Sequence, residues 1–304
     1  MQTAAEELSP GQRAVRQALS RAGADLPALA PMLSAFGPVL AWRVRAREAA
    51  PGWQGPLPAI DEARFCLGAF LLDDSGFEDM SASLPQAARE LLPILAASFP
   101  AVAGEFQALL AALESGVLSP PALAGAAFGE PAEAPGDIPG VTPATLGFAA
   151  AELVQPFIER QAQDLLPLVK ELPWRQSCCP VCGGAPNMSL LRKTWDESEF
   201  IQAHGGRRFL RCSCCSSEWT AKRVSCPACG CEEPDELTVL RDPERPFERA
   251  DACTRCKSFV LCLDTAEMAE IPAPEVAALT MLPLELKARE QGFTPMAGHP
   301  WSGL

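Results

Sequence analysis

Four Cys-x-x-Cys pairs lie between residues 179 and 256: Cys179/Cys182, Cys212/Cys215, Cys226/Cys229 and Cys253/Cys256. A two-residue spacing lets two thiolates point at one cation while amides of the tight turn reach their sulfurs, so each pair is half of a tetrahedral four-cysteine site. Eight ligands make two metal ions. Pairing in chain order, first with second and third with fourth, gives two sites of the ribbon or rubredoxin type, whereas interleaved pairing gives a cross-brace. Chain-order pairing is favoured, because each intervening segment carries enough strand pattern for its own hairpin. Iron and zinc both occupy all-thiolate tetrahedra; zinc would be structural, and iron would add a one-electron couple.

Gly183 and Gly230 follow the second cysteine of their pairs, where a knuckle wants positive φ without a Cβ. Ser216 and Lys257 stand at the equivalent places of the other two, which therefore conform less well. Cys178, Cys214 and Cys231 lie beside or inside the pairs as bystanders, alternate ligands or oxidisable thiols. Cys66 and Cys262 read as buried small hydrophobes. His204 and His299 sit at no ligand spacing and read as exposed or incidental. No Ser-His-Asp pattern, phosphate-binding loop, dinucleotide fingerprint or carboxylate pair stands in recognisable context, so no catalytic residue is assigned.

The elements that must carry the pairs differ along the chain. Residues 1–172 are Ala/Leu-rich and punctuated by Pro, which predicts an all-α domain. Ser9-Pro10 and Thr142-Pro143 each place a capping side chain before a first-turn proline. Helices are expected over Asp61–Leu72, Leu84–Ser98 with a kink at Pro93, Ala101–Leu113, and Pro143 to about Leu172. The last has Leu146, Ala150, Leu153, Phe157, Leu165 and Leu168 on one buried stripe. Gly129–Val141 is a loop. Strands are expected over Asn187–Trp195, Arg207–Arg211, Glu218–Val224 and Phe259–Leu263, with a tight turn at Gly205-Gly206. From Pro274 to about Gly292 helix returns, broken near Pro283, with Val276, Leu279, Leu282 and Leu286 to bury against the N-terminal helices. The expectation is thus an α+β protein: a helical domain at 1–172, two small rubredoxin-like (zinc-ribbon-like) metal domains at 173–220 and 221–265, and a C-terminal helix and tail at 266–304 packing back on the helical domain.

The net charge is −13, and the cysteine region is close to neutral while the rest is acidic. A general nucleic-acid binder would carry a basic excess, so that reading is disfavoured although Arg207, Arg208, Arg211, Lys222 and Arg223 form a basic stretch around the middle pairs. Met1–Arg13 is acidic, without an apolar core or twin arginine, so no export signal is expected. No run reaches the length of a membrane span. Thirteen cysteines at metal spacing suit a reducing cytoplasm.

Taken together, four stretches resemble the formate dehydrogenase accessory protein family, FdhE. They are Cys179-Pro-Val-Cys182-Gly183, Arg207–Trp219, Arg223–Gly230 and Ala250–Phe259. The C-terminal helix with its Gly292-Phe293 exit resembles that family too, so the likeness covers about 170–304. Cys214 departs from the apolar residue expected there. The resemblance implies a cytoplasmic, non-enzymatic assembly factor with two metal ions, iron or zinc, held by Cys179, Cys182, Cys212 and Cys215 and by Cys226, Cys229, Cys253 and Cys256. It implies as partner the catalytic subunit of a respiratory formate dehydrogenase, bound before export. Arg207, Arg208, Arg211 and Arg223 lie between knuckles and are the candidate contacts with that partner. An iron redox protein or electron carrier, and a zinc-ribbon nucleic-acid binder, are the alternatives.

Overall fold

The computed structural model describes residues 8–128, 138–193, 206–266, 268 and 270–303. Trp195, His204, Gly205 and most of the expected Gly129–Val141 loop lie outside them. Helices fill the N-terminal half: α1 Pro10–Asp25, α2 Ala30–Ala49, α3 Glu62–Leu67, α4 Leu84–Ser98, α5 Ala103–Glu114, α6 Pro120–Phe128 and α7 Pro143–Val169. Both expected caps form. Ser9 Oγ accepts from the Gln12 amide while the Gln12 side chain accepts from the Ser9 amide, and Thr142 Oγ1 accepts from the Thr145 amide. The helix expected over Asp61–Leu72 is cut short: α3 ends at Gly68, whose φ of 113° closes it in the left-handed region. Cys66 on α3 is consequently exposed, not buried.

The long helix α7 is not a one-sided surface helix. From Glu152 to Glu159 every residue is buried, because α2, α4, α5 and α6 pack around it and the C-terminal turn Pro300–Gly303 lies against it. A single apolar stripe understates such a helix. Polar side chains enclosed in this way need partners, and they find them: Arg43 meets Glu152 at 2.5 Å and Arg47 meets Glu159 at 2.9 Å.

The C-terminal half is built on one mixed sheet. Its strands are β1 Pro186–Arg192, β2 Arg207–Cys212, β3 Glu218–Ala221, β4 Leu237–Arg241, β5 Glu248–Cys253, β6 Ser258–Asp264 and β7 Thr294–Pro295. The order is β3-β2-β1-β6-β5-β4, with β7 on β6. The antiparallel units β1-β2-β3 and β4-β5-β6 are the two ribbons. They meet through a parallel pairing of β1 with β6, Met188 opposite Leu261 to Leu191 opposite Asp264. Thr265 extends the seam, its amide donating to the Leu191 carbonyl at 2.8 Å and its hydroxyl to the same oxygen at 2.7 Å. The ribbons therefore share a sheet instead of standing apart as beads.

Helix returns after β6, in two pieces: α8 Pro274–Thr280 and α9 Leu282–Glu290. Val276 and Leu279 of α8 join the helical core, so this element packs back on the N-terminal half as expected. Past the break α9 turns to the sheet, where Met281, Leu284 and Ala288 form a second core with Ala250, Ala252, Phe259, Leu261 and Phe293. Leu286, expected to be buried, is 52% exposed, since α9 buries Leu284 and Ala288 against the sheet instead.

Candidate metal centres

Each Cys-x-x-Cys pair sits on a turn at a ribbon end. Cys179/Cys182 precede β1, Cys212/Cys215 span the β2-β3 turn, Cys226/Cys229 lie between β3 and β4, and Cys253/Cys256 span the β5-β6 turn. All four turns are built alike. The amide after the second cysteine donates to the carbonyl of the first: Gly183 to Cys179 at 2.9 Å, Ser216 to Cys212 at 3.2 Å, Gly230 to Cys226 at 2.8 Å and Lys257 to Cys253 at 2.9 Å. The four donors have φ of 73°, 57°, 71° and 60°. Ser216 and Lys257 thus adopt the left-handed conformation despite their Cβ, correcting the expectation that these knuckles conform less well. The strain of a left-handed non-glycine residue, about 1–2 kcal/mol, is accepted to bring the two sulfurs together.

The sulfurs converge in chain order. Cys179, Cys182, Cys212 and Cys215 form one group and Cys226, Cys229, Cys253 and Cys256 the other, with every sulfur of a group within 4.8 Å of the rest. In the first, Sγ atoms lie 3.6 Å apart for Cys179 and Cys215, and 3.5 Å for Cys182 with both Cys212 and Cys215. In the second, Cys226 and Cys256 are 3.6 Å apart and Cys229 and Cys253 3.8 Å. A tetrahedron with metal–sulfur bonds of about 2.3 Å has edges of about 3.8 Å. The spacing therefore fits a tetrahedral all-thiolate ion in each group, and the donor set admits zinc or iron.

Such crowding is unfavourable for bare thiolates. Side-chain hydrogen bonds from Cys179, Cys182 and Cys215 hold the Cys212 thiol well below its ordinary range. The mutual interactions push Cys182 far up, with Cys179 its largest opponent. In the second group burial pushes Cys226 up to about 12. Cys256 is lowered to about 7: burial opposes its charge, but the Ser258 amide and hydroxyl and the neighbouring thiols outweigh it. A divalent cation is the group that would let all four sulfurs of a cluster carry charge together.

The other cysteines divide by position. Cys231 is buried beside Cys226 and Cys253, and its carbonyl accepts from the Cys226 amide at 2.8 Å. Cys214 is half-buried, its amide 3.4 Å from Cys212 Sγ. Cys262 is buried under the sheet as expected, where burial raises its thiol to about 11.

The four arginines offered as partner contacts do not share a surface. Arg208 is 2% exposed, donating to the Ser225 carbonyl at 2.9 Å and pairing with Asp251 at 3.1 Å, so it ties the second ribbon to the first. Arg211 is buried and pairs with Glu275 of α8 at 2.7 Å. Three positions apart on β2, the two side chains point to opposite faces of the sheet, both of them covered, and each is held by a buried ion pair. Arg207 and Arg223 are exposed.

Sequence reasoning missed the contacts that tie the first group to the helices. Ser216, next to Cys215, donates to Glu159 of α7 at 2.6 Å, and the Leu71 and Leu72 amides donate to the Pro180 and Val181 carbonyls at 2.9 and 3.0 Å. The Ser216–Glu159 partners lie 57 residues apart, so no short-range pattern marks the contact.

His299 was also misjudged. It is buried, stacked on Trp301 at 4.7 Å between centroids, and accepts from the Asn187 side-chain amide at 3.3 Å. Burial, then the charges of Arg211 and Arg43, lower its pKa to about 3; Glu275, paired with Arg211, is the facing acid. Because the unfolded chain binds this proton near pH 6.5 and the folded chain does not, stability is complete above about 6.5 and falls by about 1.4 kcal/mol per pH unit below it. Denaturant midpoints between pH 7 and 4 are expected to fall less steeply for His299→Gln than for the parent; equal slopes would refute this.

The geometry is matched by similarity to known proteins. Residues 178–223 match the family model described as the FdhE central domain. The protein FdhE homologue of Aquifex aeolicus is 32% identical over 120 residues, which is 40% of this chain and 40% of that protein. That of Shewanella baltica is 31% identical over 124 residues, 40% of this chain and 38% of its own length. The crystal structure of the FdhE protein from Pseudomonas aeruginosa superposes over 96% of both chains with a TM-score of 0.59 at 19% identity. Residues 178–223 resemble an FdhE central domain, and the chain has the fold of an FdhE protein. Its alignments span about two fifths of the length of these curated relatives, while the FdhE fold extends through nearly the whole chain. The FdhE central domain contains the entire first cysteine group and ends at Arg223; the second group follows it. Among the described residues no single helix is long and apolar enough to cross a membrane.

Proposed function

We propose that this chain is a cytoplasmic accessory factor that holds two metal ions and binds the catalytic subunit of a respiratory formate dehydrogenase, supporting its assembly before export without turnover of its own. The observation that carries this reading is the pair of four-thiolate groups set at metal spacing on an FdhE fold. Bound metal would cross-link the ribbon turns, and iron would bring a one-electron couple as well. The chain's own residues supply the frame: the left-handed knuckles aim the thiolates, Arg208–Asp251 joins the ribbons, and Arg211–Glu275 joins ribbon to α8. The exposed Arg207 and Arg223, near the ribbon junction, are the remaining candidates of the four for contact with an acidic client face.

A strain lacking this protein is expected to lose respiratory formate dehydrogenase activity. The parent gene should restore it, and Cys179→Ser or Cys226→Ser should not. Undiminished activity in the deletion strain, with no second gene of the family present, would remove the proposal.

A further inference from the structure

The two groups are chemically identical and differently enclosed. In the first, Cys179, Cys212 and Cys215 are at most 2% exposed and belong to the same core as the helices, with Cys182 half-buried against it and none of the four exposed. In the second, Cys226 and Cys253 are buried but Cys229 is exposed, Cys256 is half-buried, and the surrounding cluster is small and separate. Equivalent knuckle glycines report the same contrast. A Cβ added at Gly183 would collide with the Phe70 ring, whereas one at Gly230 meets nothing within 4 Å. Gly184 lies so close over the first group that an added Cβ would sit 2.8 Å from Cys212 Sγ. The first group is roofed by Phe70 and by the Leu71 and Leu72 backbone hydrogen bonds, with Ser216 anchored to Glu159. Among the described residues no such cover reaches the second cluster, which packs only with Leu237 and Cys256.

Ligand exchange at a four-thiolate ion proceeds one sulfur at a time, and each step needs an incoming ligand beside the metal. At the first group that approach requires the helix–ribbon junction to open, a local unfolding with its own free-energy cost. At the second it can begin from the exposed Cys229 side with the fold intact. We infer that the second group is the exchangeable metal site of this protein, taking up and giving off a borderline-soft divalent cation to a competing thiol or nitrogen ligand, while the first is a closed structural cross-link. The cation passes unchanged in oxidation state from four thiolates to the competitor, and the freed thiolates take protons from water. The inference rests on the reading that both groups hold metal.

The test uses the full chain loaded with Zn2+ and mixed with excess 4-(2-pyridylazo)resorcinol. Release is expected in two phases of one metal each, the first faster by about tenfold or more. Alkylation with iodoacetamide during the fast phase, read by peptide mass spectrometry, should modify the exposed Cys229 first, and then the other thiols freed with its metal, ahead of Cys179, Cys182, Cys212 and Cys215. This needs no variant and so survives any folding defect that substitution brings. Both metals leaving in one phase, or the cysteines of the first group reacting first, overturns the inference alone. Loading that stops below two metals overturns the metal reading and the inference with it.

Discussion

Replacing Cys179 by Ser is expected to cut metal content from two ions per chain to one and to destabilise the helical half together with the first ribbon. The coupling follows from where this thiol sits. Its turn carries the Pro180 and Val181 carbonyls that accept from Leu71 and Leu72, and its partner knuckle carries the Ser216 hydroxyl bonded to Glu159 at 2.6 Å. Binding energy at a structural zinc site is folding energy, about 10–16 kcal/mol in isolated fingers, so losing the ion costs on the order of several kcal/mol even in a larger fold. Cys226→Ser should also remove one metal yet loosen chiefly the second ribbon, whose cluster is separate. Cys66→Ser, at an exposed cysteine on α3, is the control and should change neither quantity. Metal content by plasma emission and denaturation followed by circular dichroism check both parts; two metals per chain in Cys179→Ser would refute the assignment of that ligand.

Glu152→Ala is expected to cost about 3–5 kcal/mol, because it strands the Arg43 guanidinium in a core where it is 3% exposed. Glu152 is fully buried, 2.5 Å from Arg43, and Glu159 one turn pair further along α7 adds to the same field. Replacing both partners, Arg43→Met with Glu152→Leu, removes the unpaired charge and should cost less than the single change. Urea denaturation of the three proteins decides it. A loss below about 1 kcal/mol for Glu152→Ala would mean that water reaches the pair.

Much of this architecture was legible in the residues. Cysteine spacing gave the two groups and their chain-order pairing, since two-residue turns and the strand pattern between them are local signals. The Ser9 and Thr142 caps, α4 and four of the strands are local in the same sense. What escaped was set by tertiary packing. The strands β4 and β5 carry Thr238 and Arg241, Glu248 and Asp251, and lack a clean apolar alternation because one face meets Met281 and Leu284 of α9's first turn and cap while the other holds Arg249 and Asp251. The parallel β1–β6 seam joins segments some seventy residues apart and leaves no mark at short range. Positive φ at Ser216 and Lys257 shows that the need to converge four sulfurs overrides the preference for glycine. Burial of His299 depends on Trp301 reaching the Phe36 ring at 5.2 Å, a contact across nearly the whole chain. Arg208 and Arg211 read as surface charge because a basic run is usually solvated; their carboxylate partners, Asp251 and Glu275, lie far along the sequence.

The most direct test of the account is capture of the client by affinity-tagged protein from cells grown under formate-respiring conditions without oxygen, with metal and subunits quantified in the same eluate. The account predicts that the formate dehydrogenase catalytic subunit co-purifies with a protein carrying two metal ions per chain, and that capture falls for Cys179→Ser. Recovery of the tagged protein with both metals but without that subunit, under conditions where the subunit is abundant in the lysate, would contradict it.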